Sequence, residues 1–255
     1  MRRFAFVALV ILLFAAAALE SGAQERAGGS SSGASVATDL PAEAIEQIVK
    51  DYLLREPEVI MQALQRLQER QAEAEAAQAQ AMLEAHADAI VDDPRDGVIN
   101  PEGDVTLVEF FDYRCGYCRG MAAGLQKMVE EDPGLRLVLK EFPILGEDSL
   151  RAARAALAAK EQGAYAPFHD ALMGAADMSM DGIRRLAERH GLDVARLEAD
   201  MASPAIGQQI DDTLELGQAL GITGTPSFIL GERIIPGAAP LPQLAQMIEA
   251  ERAAQ

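Results

Sequence analysis

Cysteine is almost absent from this sequence, which has only Cys115 and Cys118 among its 255 residues. A disulfide scaffold needs several bridges that close long loops, so a single Cys-x-x-Cys pair excludes one. Structural zinc is disfavoured too, because there is no second cysteine pair and the three histidines are scattered. The pair instead predicts a short disulfide ring that opens and closes in redox chemistry. A permanently closed structural disulfide is the less favoured alternative, since so short a loop removes little entropy from the unfolded chain.

Basic and aromatic residues are also scarce. Lys and Arg number 22 against 40 Asp and Glu, which gives a formal net charge of −18. So acidic a surface argues against nucleic acid or anionic lipid as partners, because like charges repel. Tryptophan is absent, aromatic residues make up 5% of the chain and alanine is abundant, so we expect helices to dominate.

Only the N-terminus has a run apolar enough to suggest contact with a membrane. The basic start Arg2-Arg3 is followed by an apolar run, Phe4–Leu19. The small residues Ser21 and Ala23 come next. This pattern predicts that residues 1–23 are a signal peptide, cleaved on export to a periplasm. An uncleaved N-terminal membrane anchor is the alternative.

Two segments separate the signal from the rest of the chain. Residues 24–38 are rich in Gly and Ser and are predicted to be a flexible linker. Residues 39–91 have a helical pattern, in which one face carries apolar side chains: Ile45, Ile48, Val49, Tyr52 and Leu53. So short an amphipathic segment cannot form a core of its own. We therefore expect a homo-oligomer assembled through residues 39–91; docking on the same chain is the alternative.

The two cysteines lie at a predicted strand-to-helix junction. Val105–Phe111 has the β-branched, aromatic and aliphatic residues of a strand buried on both faces. The apolar spacing after Cys118 predicts an amphipathic helix. Cys115 then lies near a helix N-terminus, where unpaired N–H groups and the helix dipole stabilise a thiolate. This predicts Cys115 as the attacking thiol and Cys118 as the resolving thiol of a redox-active disulfide.

A catalytic domain is predicted over residues 92–255. A second buried strand at Leu135–Glu141 precedes a helical block over about 149–221. A β-hairpin at Ser227–Pro236 and a final helix at Leu241–Ala254 follow. The order of these elements predicts an α/β thioredoxin fold with an inserted helical domain, preceded by an N-terminal helical arm.

Three stretches, in this order and spacing, resemble the DsbA-like family of periplasmic thiol–disulfide oxidoreductases: Glu109–Cys118, Lys140–Gly146 and Gly221–Phe228. The helices before them resemble the N-terminal segment of the ScsC-type branch (suppressor of copper sensitivity), in which such a segment drives oligomerisation. The Gly116-Tyr117 pair between the cysteines departs from the Pro-His pair of strongly oxidising members. The direction of electron flow therefore stays open.

The resemblance implies roles for residues around Cys115 and Cys118. Pro226 matches a cis-proline that faces the cysteines, and the backbone of Thr225 would pair with an extended substrate segment. A trans turn proline is the alternative. Glu109 matches a buried acid beneath the site, which relays a proton to or from Cys118. A glutamate on the surface is the alternative.

Expectations for five further residues follow from the same motifs. Gly116 and Tyr117 should contact the substrate and tune the stability of the thiolate. Arg114 and Lys140 are expected on a solvated surface; a positive charge near Cys115 is the alternative for each. His169 is expected to be a packing or capping residue rather than a catalytic one.

Together these expectations predict thiol–disulfide exchange with exported proteins that contain cysteines, without a metal or an organic cofactor. A membrane redox partner would reset the cysteines. An oligomer that is kept reduced would act as an isomerase or reductase, which is the favoured hypothesis; a monomeric disulfide-donating oxidase is the alternative. Copper binding by Cys115, Cys118 and a nearby methionine is a hypothesis of a different class, since soft ligands suit Cu(I).

Overall fold

A computed structural model describes residues 41–254 of the chain. The predicted signal peptide, residues 1–23, and the predicted linker, residues 24–38, lie outside the described residues. The chain divides into two units, the first ending at Ile60 and the second beginning at Met61. Between residues 41 and 254, no helix combines the length and the apolar composition that crossing a membrane requires.

The predicted N-terminal helical arm is present as three helices: α1 (Ala42–Arg55), α2 (Glu58–Ala85) and α3 (Ala87–Val91). The break between α1 and α2 falls at Glu56 and Pro57, because a proline ring disfavours helical conformation in the residue before it. No residue of α1 is buried, so most of its predicted apolar face is exposed.

The second unit contains a five-stranded sheet with the order β1-β3-β2-β4-β5. Its strands are β1 (Gly97–Ile99), β2 (Val105–Phe111), β3 (Leu135–Glu141), β4 (Ser227–Leu230) and β5 (Arg233–Pro236). Strands β2 and β3 are parallel, and every other neighbouring pair is antiparallel. A right-handed crossover through a helix is the ordinary connection between two parallel strands, and α4 (Gly116–Glu131) makes the connection here.

Five helices form the predicted insertion between β3 and β4. They are α5 (Glu147–Lys160), α6 (Tyr165–Gly174), α7 (Met180–Arg189), α8 (Val194–Met201) and α9 (Pro204–Ala219). Side-chain oxygens cap three of them by accepting from first-turn N–H groups: Ser179, Asp193 and Ser203. The last helix, α10 (Leu241–Arg252), packs back on α4 and β2. The thioredoxin fold with a helical insertion is therefore confirmed.

Alternate residues of β2 point to opposite faces of the sheet, as the pleat of a strand requires. Leu107 and Phe111 belong to the larger core, with α4, α10 and most of the inserted helices. Val108 belongs to a smaller core on the other face. Leu83 of α2 and Ile90 of α3 also belong to this smaller core. The end of the helical arm thus contributes side chains to the packing of the sheet.

The expectation that Lys140 lies on a solvated surface is wrong. Lys140 is 1% exposed, and its ammonium group donates to the Asp96 carboxylate and to the Ala89 carbonyl oxygen. Even-numbered residues of β3 face the smaller core, so the strand carries this side chain inward, where a charge needs a partner. Burial raises the pKa of Asp96 to about 6, although Lys140 acts in the opposite direction.

Replacing Lys140 by methionine tests the buried ion pair. The change leaves the Asp96 carboxylate buried without its cation, so we expect the free energy of unfolding at about pH 8 to fall by about 3 to 5 kcal/mol. Lys127→Met is the matched control, because Lys127 pairs with Glu131 on an exposed helix surface. Its loss should stay within about 0.5 kcal/mol in urea denaturation. Equal losses in the two variants would contradict the buried pair.

Candidate active site

Cys115 caps the N-terminus of α4, directly after the loop that follows β2. Its backbone is extended, with φ −70° and ψ 118°, and the helix begins at Gly116. The Cys115 N–H donates to the Asp112 carbonyl oxygen at 3.0 Å, which turns the chain from the end of β2 into the helix. The cysteine motif therefore lies at the strand-to-helix junction that the sequence predicts.

The sulfur of Cys115 lies between the first turn of α4 and the loop before β4. It accepts from the Cys118 N–H at 3.5 Å, and its S–H donates to the Thr225 carbonyl oxygen at 3.2 Å. Burial by itself raises the pKa of Cys115. Hydrogen bonds with the Thr225 side chain and with the N–H groups of Cys118 and Tyr117 lower the pKa by more. The pKa of Cys115 is therefore below its ordinary value. These N–H groups have no partner within the helix, so they stabilise a negative sulfur.

Cys118 lies one helical turn further on and differs from Cys115 in its surroundings. It is fully buried, and both cysteines are free thiols in this structure. Burial raises the pKa of Cys118 far above that of an ordinary thiol, and the carboxylate of Glu109 adds to the rise. The pKa of one thiol of the pair is thus lowered, while that of the other is strongly raised.

Glu109 lies in β2 on the face of the sheet that carries α4. It is 2% exposed, and its Oε1 has no hydrogen-bond partner among residues 41–254. Burial raises the pKa of Glu109 to about 8, so the acid is mostly protonated at neutral pH. The alternative of a surface glutamate is excluded.

The Thr225–Pro226 peptide bond is cis and comes directly before β4. Strand β4 pairs antiparallel with β2, so its start lies at the edge of the sheet where the Cys115 loop begins. The loop is held by Ser227, whose hydroxyl donates to the Gly224 carbonyl oxygen at 2.8 Å. This pairing brings Thr225 to Cys115 although they are far apart in the sequence.

The side of the cysteines toward solvent is open. Tyr117 is 72% exposed, and a Cβ added at Gly116 would meet no atom within 4 Å. Arg114 is exposed as expected, and it pairs with Asp148 at 3.2 Å across the surface. His169 is buried among aromatic rings, which agrees with a packing role.

The copper hypothesis adds a nearby methionine to the two cysteine sulfurs as a soft ligand. Within residues 41–254, no group of three or more His, Cys, Asp and Glu side chains is arranged to hold a metal ion. Several methionines of the second unit are accounted for as packing residues, because they lie in the hydrophobic core: Met121, Met173, Met178 and Met201.

Asp112 organises the loop before Cys115, and the sequence pattern did not identify it. It is 1% exposed and accepts hydrogen bonds from the Arg114 N–H, the Leu145 N–H and the Ser149 hydroxyl at distances of 2.7, 3.0 and 2.7 Å. An aspartate that follows a buried strand and precedes a turn often bonds nearby N–H groups. The position of Asp112 between the strand and the turn was therefore the signal by which the sequence could have identified it.

Residues 106–249 match the family described as the DSBA-like thioredoxin domain, which is more than half of the chain. The chain belongs to this family. Residues 43–74 match a second family, described as the copper resistance protein ScsC N-terminal domain. The resemblance to the DsbA-like family, with an ScsC-type segment before it, is therefore confirmed.

Solved structures of DsbA-like and ScsC proteins are similar to this chain. A thioredoxin-like oxidoreductase from Silicibacter pomeroyi is 46% identical, with a TM-score of 0.63, and the match covers 66% of this chain and 98% of that one. A linker-deletion mutant of Proteus mirabilis ScsC is 25% identical, with a TM-score of 0.66, over 86% of this chain and 100% of that one. A periplasmic thioredoxin-like protein from Salmonella enterica is 28% identical, with a TM-score of 0.58, over 66% and 95%.

Curated relatives of this DsbA-like chain are much longer proteins. The Na⁺/H⁺ antiporter NhaA 3 of Salinispora tropica is 31% identical over 147 residues, which are 56% of this chain and 22% of the antiporter. The antiporter NhaA of Herminiimonas arsenicoxydans is 31% identical over 167 residues, 64% of this chain and 26% of the antiporter. The chain thus spans about a quarter of the length of these relatives.

The pH dependence of stability tests the environment of Glu109. The pKa rises from 4.5 to about 8 on burial, so folding takes up a proton between these values. The contribution of this group to stability is complete below about 4.5 and is lost as the pH rises through about 8. Against Glu109→Gln, the wild type should lose up to about 1.4 kcal/mol of unfolding free energy per pH unit in this window.

Urea denaturation of the reduced protein at several pH values measures this difference. Glu102→Gln is the control, because Glu102 is an exposed residue of a turn. Its stability should follow that of the wild type at every pH. Parallel curves for the wild type and Glu109→Gln would contradict a buried acid with a raised pKa.

Proposed function

We propose that this protein is a periplasmic thiol–disulfide oxidoreductase that exchanges disulfides with exported proteins through Cys115 and Cys118. One observation carries the proposal. The sulfur of Cys115 lies at the N-terminus of α4, 3.5 Å from the Cys118 N–H and 3.2 Å from the Thr225 carbonyl oxygen. A sulfur in that position forms a thiolate and lies beside backbone that an extended substrate can pair with.

In the reductive direction, the Cys115 thiolate attacks one sulfur of a substrate disulfide. The substrate S–S bond breaks, a Cys115–substrate disulfide forms, and the first substrate sulfur leaves as a thiolate that takes up a proton from solvent. Cys118 then loses its proton and attacks the Cys115 sulfur, which releases the second substrate sulfur. Two electrons pass from the two cysteines to the substrate, and Cys115 and Cys118 end as a disulfide.

Isomerisation uses the first half of this sequence. A free thiolate of the substrate attacks the mixed disulfide from the substrate side, forms a new substrate disulfide and releases Cys115 as the thiolate. No electrons are transferred overall. This activity requires that the two cysteines be kept reduced, so we propose a membrane redox partner that resets them.

Glu109 is the group that we propose for the proton of Cys118. Cys118 has a strongly raised pKa, and the charge of Glu109 contributes to it, so the two groups are electrostatically coupled. As a carboxylate, Glu109 accepts the proton that Cys118 loses on attack; as an acid, it returns that proton when Cys118 leaves a disulfide. A pKa of about 8 allows both forms near neutral pH.

The substrate side of the site is assigned to Thr225, Pro226, Gly116 and Tyr117. The backbone before β4 is free to pair with an extended segment, as in β-strand addition. Gly116 adds no side chain over the sulfur, and Tyr117 offers an exposed ring to a substrate. These contacts are sequence-tolerant, which suits an enzyme that acts on many exported proteins.

Export to the periplasm has two lines of support. The N-terminal pattern over residues 1–23 is that of a signal peptide. The related Salmonella enterica protein is described as periplasmic. A bacterial periplasm is also a compartment in which protein disulfides persist.

We assign the preference for isomerase or reductase activity to assembly through residues 39–91. On α1, the apolar side chains Ile45, Ile48, Val49 and Tyr52 are all more than 40% exposed. They recur at helical spacing, and a second copy of α1 offers the same face in return. Residues 43–74, which match the ScsC N-terminal domain, contain this face. Holding several active sites in one assembly favours repeated engagement of a misfolded substrate.

Trapping of substrates tests the exchange chemistry. Without Cys118 the mixed disulfide cannot be resolved, so Cys118→Ser should accumulate covalent adducts with a scrambled-disulfide protein on non-reducing gels. Cys115→Ser is the control and should trap nothing, because the remaining thiol is buried and protonated. A Cys118→Ser protein that traps nothing and instead loses bound copper would favour the metal-binding hypothesis.

Charge placed on the exposed face of α1 tests the assembly. Ile48→Glu with Tyr52→Glu should convert the oligomer to monomers, measured as mass in solution by light scattering. Reactivation of a scrambled-disulfide protein should fall by roughly tenfold through loss of multivalent contact. Gln47→Glu is the matched control, since Gln47 lies on the opposite face of α1. A wild-type protein that is already monomeric would contradict the oligomeric isomerase and favour the monomeric oxidase.

A further inference from the structure

A second buried polar cluster lies beside the active-site loop, and the proposed chemistry does not use it. The cluster contains Glu141, Tyr113, Tyr165 and His169, and each is at most 7% exposed. Glu141 is the last residue of β3, and Tyr113 is in the loop between β2 and Cys115. A buried acid carries a free-energy cost unless its hydrogen bonds are made. Glu141 therefore needs hydrogen-bond donors in this position beside the cysteine loop.

The hydrogen bonds of the cluster meet at one carboxyl oxygen. The hydroxyls of Tyr113 and Tyr165 donate to Oε1 of Glu141 at 3.0 and 2.9 Å. His169 Nδ1 lies 3.0 Å from the Tyr113 hydroxyl oxygen. Since the Tyr113 proton points to Glu141, we assign His169 as the donor in that contact, with its proton on Nδ1.

Burial shifts the pKa of each group in this cluster in the direction that favours the neutral form. Burial raises the pKa of Glu141 well above its usual value, and it raises the pKa of both tyrosines. Burial lowers the pKa of His169 to about 3. The hydrogen bonds of the cluster thus lie in a low-dielectric core, where each bond is strong and a lost partner is costly.

The strand register explains why Glu141 reaches the loop. Strands β2 and β3 are parallel, and Phe111 is the partner of Glu141. Both strands end at the same edge of the sheet, so a side chain two residues beyond Phe111 can meet the end of β3. The Tyr113 ring packs edge-on against Phe111 with centroids 5.1 Å apart, which directs its hydroxyl inward.

We propose that Glu141 is a positioning residue for the Cys115 thiolate. Through the hydrogen bond from Tyr113, it holds the loop that aims the Cys115 sulfur at the first-turn N–H groups of α4. The inference deepens the proposed function and rests on it. Glu141 does not touch the sulfur or a substrate, so its effect passes through Tyr113.

Tyr113 ties the loop both to the polar cluster and to α4. Its hydroxyl is fixed by Glu141, and its carbonyl oxygen accepts from Arg119 at 3.4 Å. Arg119 also donates to the Ala175 carbonyl oxygen at 2.7 Å, which ties the start of α4 to the end of α6. Cys115 is two residues further on, and its N–H bonds the Asp112 carbonyl oxygen. Release of the Tyr113 ring therefore allows the Cys115 sulfur to move relative to the first-turn N–H groups of α4.

Paired removal of single hydroxyl groups tests the proposal. Tyr113→Phe and Tyr165→Phe each delete one donor to the same Glu141 oxygen, but only Tyr113 belongs to the Cys115 loop. The readout is the pH dependence of Cys115 alkylation by iodoacetamide in the reduced full chain. We expect the midpoint to rise by roughly 0.5 pH unit or more in Tyr113→Phe and to stay at the wild-type value in Tyr165→Phe.

Two further variants complete the design. Glu141→Gln keeps an acceptor for both hydroxyls and should leave the midpoint at the wild-type value, whereas Glu141→Leu should raise it. An unchanged midpoint in both Tyr113→Phe and Glu141→Leu, or an equal rise in Tyr165→Phe, would overturn the positioning role. Alkylation needs no protein substrate, so a protein that fails in disulfide exchange but shows this pattern would contradict only the proposed function.

Discussion

The parallel pairing of β2 with β3 is the constraint on which the site depends. Its register runs from Val105 opposite Leu135 to Phe111 opposite Glu141. With this register both strands end at the same edge of the sheet, and the loop to Cys115 begins there. A slip by one residue would turn every side chain of one strand to the opposite face. Glu109 would then leave the face that carries α4, and the contact between Tyr113 and Glu141 would be lost.

The two faces of the sheet bury ionisable side chains in different ways. On the face with α4, the acids Glu109 and Glu141 are buried at odd-numbered positions, and burial raises the pKa of both. On the other face, Lys140 is buried with a carboxylate partner, Asp96. The first arrangement buries two acids on the face that carries α4, and the second fixes the end of the helical arm through the Ala89 carbonyl oxygen. Adjacent residues of β3, Lys140 and Glu141, thus take part in the two arrangements on opposite faces of the sheet.

The two cysteines acquire different chemistry from one turn of helix. Cys115 caps α4, so its sulfur meets N–H groups that have no helical partner. Cys118 is inside the helix, where its sulfur is enclosed by the core and is coupled to the buried acid Glu109. Hydrogen bonds at the helix N-terminus thus lower the pKa of Cys115, burial raises the pKa of Cys118, and this asymmetry separates attack from resolution. The sequence between the cysteines, Gly116-Tyr117, leaves the approach from solvent open.

Local pattern was sufficient for much of this protein. The strands Val105–Phe111 and Leu135–Glu141, the hairpin and the helix after Cys118 follow from periodicity and from residue type, because the spacing of apolar residues shows which face of each element is buried. The Cys-Gly-Tyr-Cys motif identified the redox pair. The tertiary structure determines contacts that periodicity does not predict. Lys140 is buried because a helix from the arm covers it, Asp112 gathers three donors from separate segments, and Tyr113 meets Glu141 only through strand register. Apart from the bond between Asp112 and the Arg114 N–H, these contacts join residues 28 to 51 positions apart, and their geometry exists only once the sheet is formed.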